Sequence, residues 1–106
     1  MKKIFLFLAV TFSTASYSQL TNANIHQAVI DWIENPTTAE ATYGHISDWD
    51  VSNVTNMKGI FYGSSFFNQD LTKWCVKNII TEPENFCKYS SIIEANKPKW
   101  GTCPSD

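Results

Sequence analysis

The chain has 106 residues, with eight lysines, ten acidic residues and a formal net charge of −2 at pH 7. It contains no arginine. Nucleic-acid binding depends on a basic surface and favours arginine for contacts to base edges, so this composition argues against a nucleic-acid-binding protein. The length fits one domain, small enough that covalent cross-links often help to stabilise it.

Residues 1–18 have the composition of a secretory signal peptide. Two lysines precede an apolar stretch over residues 4–12, which is too short to span a bilayer. Ser16 and Ser18 supply the small residues expected before a cleavage site between Ser18 and Gln19. The sequence therefore predicts a protein that is secreted or displayed on the cell surface and has no membrane span.

Residues 19–45 are predicted to form an N-terminal helical cap. Within it, a helix over residues 22–34 carries apolar side chains at the spacing of one helical face. These side chains are Ile25, Ala28, Val29, Trp32 and Ile33. The pair Asn35-Pro36 should end that helix, and a short second helical segment is predicted over residues 38–42.

Residues 46–95 consist of two copies of one pattern, residues 46–70 and residues 71–95, with equivalent positions 25 residues apart. The predicted core positions, each given with its counterpart, are Trp49 with Trp74, Val51 with Val76, Val54 with Ile79 and Phe61 with Phe86. A period of this length is typical of stacked repeats, in which each unit buries its apolar face against a neighbour. Large apolar residues separated by Ser, Asp and Asn favour short strands and turns within each copy.

The chain has three cysteines, Cys75, Cys87 and Cys103. In an exported protein, an odd count predicts one disulfide and one remaining thiol. Their spacing lacks the close pairs that are typical of zinc sites. A Cys75–Cys103 bond would fasten the predicted C-terminal cap, residues 96–106, across the second copy, whereas a Cys87–Cys103 bond would fix less of the chain. The spacing alone leaves both pairings open.

Five stretches carry a family resemblance: IHQAVIDWIENP, ATYGHISDWDVSNVTNMKGIF, FNQDLTKW, WCVKNIITEP and NKPKWGTCP. They resemble the BspA-like leucine-rich-repeat surface proteins of bacteria. The resemblance implies an α+β fold: a short right-handed leucine-rich-repeat-like solenoid of two rungs of about 25 residues, with an N-terminal capping helix and a disulfide-fastened C-terminal cap. It also implies the Cys75–Cys103 pairing. The chain departs from the family pattern in having only two rungs, and in having Cys87 where a small or polar residue is usual.

The resemblance further implies a non-enzymatic module for protein–protein contact or adhesion. We expect a monomer that binds an extracellular protein or glycan. We predict no catalytic, cofactor-binding or metal-binding residues for this function. The crowded aromatic residues Tyr62, Phe66 and Phe67 are the candidate contact patch. We expect two of them to lie in the core, and an exposed one is the best candidate for the contact. The alternative is a calcium- or carbohydrate-binding or carbohydrate-active domain that uses Asp48 and Asp50, two carboxylates separated by one residue.

Overall fold

The computed structural model of the protein describes residues 16–104. The predicted signal peptide falls mostly on residues 1–15, which lie outside the described residues, as do residues 105–106 of the predicted C-terminal cap. The helical elements of the described residues are the α-helices α1 (Ile25–Glu34) and α2 (Pro36–Tyr43) and the short 3-10 helices Ile46–Asp48 and Glu94–Asn96.

Helix α1 packs against the core through one narrow stripe of apolar side chains. The buried members of this stripe are Ile25, Ala28, Val29 and Trp32. Ile33, predicted to continue the stripe, is instead 42% exposed. It lies about 80° around the helix from Ile25, which places it at the margin of the buried arc. The stripe is therefore one residue narrower than the sequence predicts.

Helix α2 begins at Pro36 and is longer than the predicted second segment. Proline suits the first helical position because its missing N–H would have no partner within the helix. The side-chain oxygen of Asn35 accepts a hydrogen bond from the first turn, and the helix ends at Gly44. The Tyr43 hydroxyl donates to the Asp31 carboxylate of α1 at 3.3 Å, which ties the two helices together.

The predicted α+β solenoid is wrong. The described residues contain no β-strand, and between the helices the chain consists of turns and loops. In a β-strand the backbone N–H groups of these turns would donate to a neighbouring strand. Here they donate within their own turn: the Val54 N–H to the Val51 carbonyl and the Ile79 N–H to the Val76 carbonyl, both at 2.9 Å. From residue 46 to 54 and from residue 71 to 79 the core positions are spaced by three, two and three residues, so they lack the period of two that a strand requires. The intervening Ser, Asp and Asn residues favour turns.

Hydrogen bonds nevertheless join equivalent positions of the two sequence copies. Three backbone N–H groups of the first copy donate to carbonyls of the second, and the pairs are Gly59 to Glu84 (3.1 Å), Phe61 to Phe86 (2.9 Å) and Gly63 to Lys88 (2.8 Å). Lys73 Nζ donates to the Asp48 carboxylate at 2.8 Å across the same interval of 25 residues. The sequence period thus corresponds to tertiary contacts between the copies.

Side chains from both copies form the centre of the core. The residues taken from the repeat are all buried, and they are Trp49, Val51, Val54, Phe61, Trp74, Val76, Ile79 and Phe86. The indole rings of Trp49 and Trp74 lie nearly parallel with their centroids 6.3 Å apart. The Trp74 indole N–H donates to the Ile46 carbonyl at 2.8 Å, so burial leaves this polar group paired.

The C-terminal segment is fastened to the second copy. Cys75 and Cys103 form a disulfide, which is the pairing that the family resemblance implies. Cys87 is the free cysteine of the described residues. The Trp100 ring meets the Phe86 ring edge to face, with centroids 4.8 Å apart, and covers the apolar end of the core.

Candidate interaction surface

Two of the three residues predicted as a contact patch are exposed. Phe66 is 97% exposed and Tyr62 is 53% exposed. Phe67 does not belong to the patch, because its ring stacks on Phe61 with centroids 4.4 Å apart and only 6% of the residue is exposed. One of the three aromatic residues is thus in the core, where two were expected. Neighbouring phenylalanines in one loop therefore have opposite roles, one in the core and one at the surface.

The exposed aromatic residues border two neighbouring cavities beside α1. The larger cavity has a volume of about 360 Å³, and its lining includes Ile30, Ile33 and Tyr62. The smaller cavity has a volume of about 240 Å³, and its lining includes Ile33 and Phe66. Both cavities also share Ser64, so they lie side by side along the helix, and together we call them the groove.

Tyr89 extends this exposed surface. Its ring meets the Tyr62 ring edge to face with centroids 5.4 Å apart, and the Lys88 ammonium lies 5.3 Å from the Tyr89 ring centroid. We use the name apolar face for five exposed residues: Ile30, Ile33, Tyr62, Phe66 and Tyr89.

Three members of the apolar face are not predicted from the sequence. Tyr89 follows Tyr62 by 27 positions, whereas equivalent positions are 25 apart, so the alignment of the two copies does not pair these tyrosines. Ile33 falls within the predicted buried stripe. Ile30 could have been found, because an isoleucine on the polar side of an amphipathic helix is a signal of an unpaired apolar surface.

Few charged groups border the apolar face. His26 Nε2 lies 3.1 Å from the Lys58 carbonyl oxygen, and the Lys58 ammonium lies 3.4 Å from the Glu84 carboxylate. Glu34 lines the same cavity as His26, and within residues 16–104 it makes no ion pair. The face can therefore contact an apolar surface without burying a dense set of charges.

The alternative site at Asp48 and Asp50 has its carboxylates engaged by neighbouring side chains. The hydrogen bond from Lys73 and the charge of that ammonium lower the pKa of Asp48. Asp50 Oδ1 accepts hydrogen bonds from the Ser52 hydroxyl at 2.6 Å and the Ser52 N–H at 3.0 Å, which lower the pKa of Asp50. Across the described part of the chain, no group of three or more His, Cys, Asp or Glu residues is placed to hold a metal ion. Both carboxylates already have hydrogen-bond partners among neighbouring side chains, and the alternative stays a prediction.

The Cys87 thiol lies in a charged environment on the second copy. Its sulfur is 3.8 Å from a carboxylate oxygen of Glu82. Lys97 bridges Glu82 at 3.0 Å and Glu94 at 3.1 Å. Burial alone would lower the pKa of Lys97, but the hydrogen bonds to the two carboxylates outweigh it and raise the pKa above its ordinary value. We assign the thiol no role in the apolar face.

The fold and the surface define a small, disulfide-fastened domain of helices and turns with one apolar face. None of the helices in residues 16–104 is long and apolar enough to cross a membrane. A family model described as "Mycoplasma protein of unknown function, DUF285" matches residues 8–103, and the chain belongs to this family. No curated protein matches the chain, and no solved structure does. The family description does not mention leucine-rich repeats, so the BspA-like resemblance stays a prediction.

Proposed function

We propose that this protein is a secreted or surface-displayed, non-enzymatic module that acts through protein–protein contact at its apolar face. The observation that supports the proposal is the exposure of five large apolar side chains, four of which line neighbouring cavities beside α1 while the fifth, Tyr89, contacts Tyr62. The largest apolar patch on a typical monomer covers about 300–600 Å² and often has a function. The exposed fractions of these five residues correspond to roughly 600 Å² of total surface, so their apolar part falls within that range.

The surroundings of one of the two histidines also favour a non-enzymatic function. The His26 ring bonds to the Lys58 carbonyl, and His45 Nδ1 accepts a hydrogen bond from the Ser47 N–H at 3.1 Å. The His45 ring also packs edge to face against Trp32, with centroids 4.9 Å apart. The His45 ring is thus held by the backbone and the core and is poorly placed to reach a substrate proton, whereas the exposed His26 ring has Nε2 engaged and, within residues 16–104, makes no hydrogen bond through Nδ1.

A binding experiment with matched variants tests the proposal. The full chain, immobilised, is exposed to labelled extracellular protein from the cells that produce it, and the bound protein is quantified. We expect Phe66→Ser to reduce capture strongly, because this side chain is nearly fully exposed and makes little contribution to folding. The control is Ile80→Ser, which removes another exposed apolar side chain outside the apolar face. Equal losses for both variants, or no loss for Phe66→Ser, would contradict the proposal.

A further inference from the structure

We propose that the partner of the apolar face is a second copy of this chain, bound as a two-fold symmetric dimer in which the two α1 helices lie antiparallel. This proposal rests on the proposed function and assigns a partner to the same surface. It replaces the sequence-based expectation of a monomer.

The exposed side of α1 is complementary to itself. His26, Ile30, Ile33 and Glu34 stand at positions i, i+4, i+7 and i+8, so they share one side of the helix, and all four are exposed. An antiparallel copy places its Glu34 opposite His26, with the isoleucines of both copies between these polar ends. The two-fold axis repeats the same pair at the other end of the contact. Because His26 Nε2–H donates to the Lys58 carbonyl, Nδ1 is the ring atom left for the opposing carboxylate, and it donates there when the ring is an imidazolium. The dipoles of the two antiparallel helices also oppose each other.

The larger cavity runs along α1 from His26 to Glu34, whereas the Phe66 ring borders the smaller cavity, which reaches past the C-terminal end of the helix. The smaller cavity, which Phe66 borders, includes Pro36 just beyond the C-terminal end of the helix. The larger cavity includes His26 near the N-terminal end, together with Ile30 and Tyr62. Antiparallel packing therefore brings Phe66 of each copy over the larger cavity of the other. The volume of about 360 Å³ leaves room for a phenyl ring.

The extent of the apolar face suits a dimer. A stable protein–protein interface buries about 800 Å² on each partner, with an apolar centre and a polar rim. The apolar face supplies roughly 600 Å², and His26 and Glu34 add polar area at its edge. Because the same surface serves both copies, the contact closes as a dimer and leaves no further apolar face for chain growth.

Sedimentation velocity of the full chain, from about 1 µM to several hundred µM, tests the dimer. The measurements use the Cys87→Ser background, so that an intermolecular disulfide cannot account for a doubled mass. We expect a concentration-dependent dimer in this background. Phe66→Ser should raise the dimer dissociation constant at least about tenfold, because the buried ring is worth more than one factor of ten in affinity. Ile80→Ser, the control outside the apolar face, should leave the constant unchanged.

Charge reversal tests the antiparallel arrangement specifically. His26→Glu sets two carboxylates against each other at both ends of the contact, and Glu34→Lys sets an ammonium against the imidazolium. Each single variant should weaken the dimer several-fold, and the H26E/E34K double variant should regain most of the loss by opposing unlike charges. Thermal unfolding of each variant separates a weaker contact from a damaged monomer, since His26 also bonds to the Lys58 carbonyl.

Each outcome decides the proposal. A monomer throughout the concentration range overturns it, as does a dimer that Phe66→Ser leaves intact, or a double variant no better than its singles. If the chain is monomeric but Phe66→Ser abolishes capture of another extracellular protein, the dimer is overturned and the proposed function stands. If neither self-association nor capture depends on Phe66, both are overturned.

Discussion

Replacing Cys75 by serine should lower the free energy of unfolding by about 3–4 kcal/mol. The two bonded cysteines are separated by 28 positions in the sequence. Opening a loop of this length gives the unfolded chain more conformational freedom, and the chain-entropy model yields about 3–4 kcal/mol for it. In a domain of this size, such a loss lowers the melting temperature by more than about 10 °C.

Urea unfolding followed by tryptophan fluorescence measures this effect, because Trp74 is buried next to Cys75 and becomes exposed on unfolding. The variant should still fold in dilute buffer, since the Val76 N–H also donates to the Thr102 carbonyl at 2.9 Å and holds the tail in place. Its dependence on urea should be steeper, because an unfolded chain without the cross-link exposes more surface. Reduction of the unmodified protein should reproduce the loss.

Cys87→Ser is the matched control for the disulfide. Cys87 is the free cysteine of the described residues and is only partly buried, so its replacement should cost less than about 1 kcal/mol. A loss for Cys87→Ser as large as that for Cys75→Ser would refute the reasoning, because the entropy of a loop cannot depend on a residue that does not close it. An unchanged stability of Cys75→Ser would refute it equally.

Three further predictions concern the core, a turn and the helix end. Trp74→Phe should cost about 2–3 kcal/mol in urea unfolding, because it removes buried area and leaves the Ile46 carbonyl without the indole donor; a loss under 1 kcal/mol would contradict this. The pKa of Asp50 lies below its ordinary value of 3.8 in the folded protein, so its stabilisation is present above that value and disappears as the pH falls through the folded pKa. Asp50→Asn should therefore lose less stability than the unmodified protein on acidification below about pH 4, and parallel pH profiles would disprove this. Gly44→Ala should cost about 1–3 kcal/mol in thermal unfolding, because the glycine has φ 83° and ψ 176°, where a side chain is strained; an unchanged melting temperature would rule this out.

The helices could be predicted from the sequence because each has a local signal. The apolar spacing of α1 and the Asn35-Pro36 pair place the first helix and its end within a few residues. The role of Ile33 could not be predicted, since its position at the margin of the stripe leaves burial to be decided by the neighbouring loop. For the same reason, the sequence could not distinguish Phe66 from Phe67, because loop geometry chooses which ring meets Phe61.

The predicted class of the fold is wrong because a sequence repeat does not by itself imply strands. A period of 25 residues determines which residues meet, as Asp48 meets Lys73, but it does not determine the backbone conformation between them. Within each copy, short polar residues direct the backbone into turns. Asp50 is an example: its carboxylate accepts a hydrogen bond from the Ser52 N–H, which in a sheet would donate to an adjacent strand.

The two copies differ in backbone conformation at positions where their sequences differ. Gly59 and Gly63 have positive φ in the first copy, at 67° and 74°. At the position equivalent to Gly59 the second copy has Glu84, and the residue with positive φ is the next one, Asn85, at 56°. Tyr89, with φ of 64°, lies one position beyond the equivalent of Gly63. A glycine adopts this conformation without strain, whereas a residue with a side chain seldom does, so loss of the glycine moves the turn along the chain. The same displacement puts the left-handed turn at Tyr89, whose exposed ring then packs against Tyr62 and completes the apolar face.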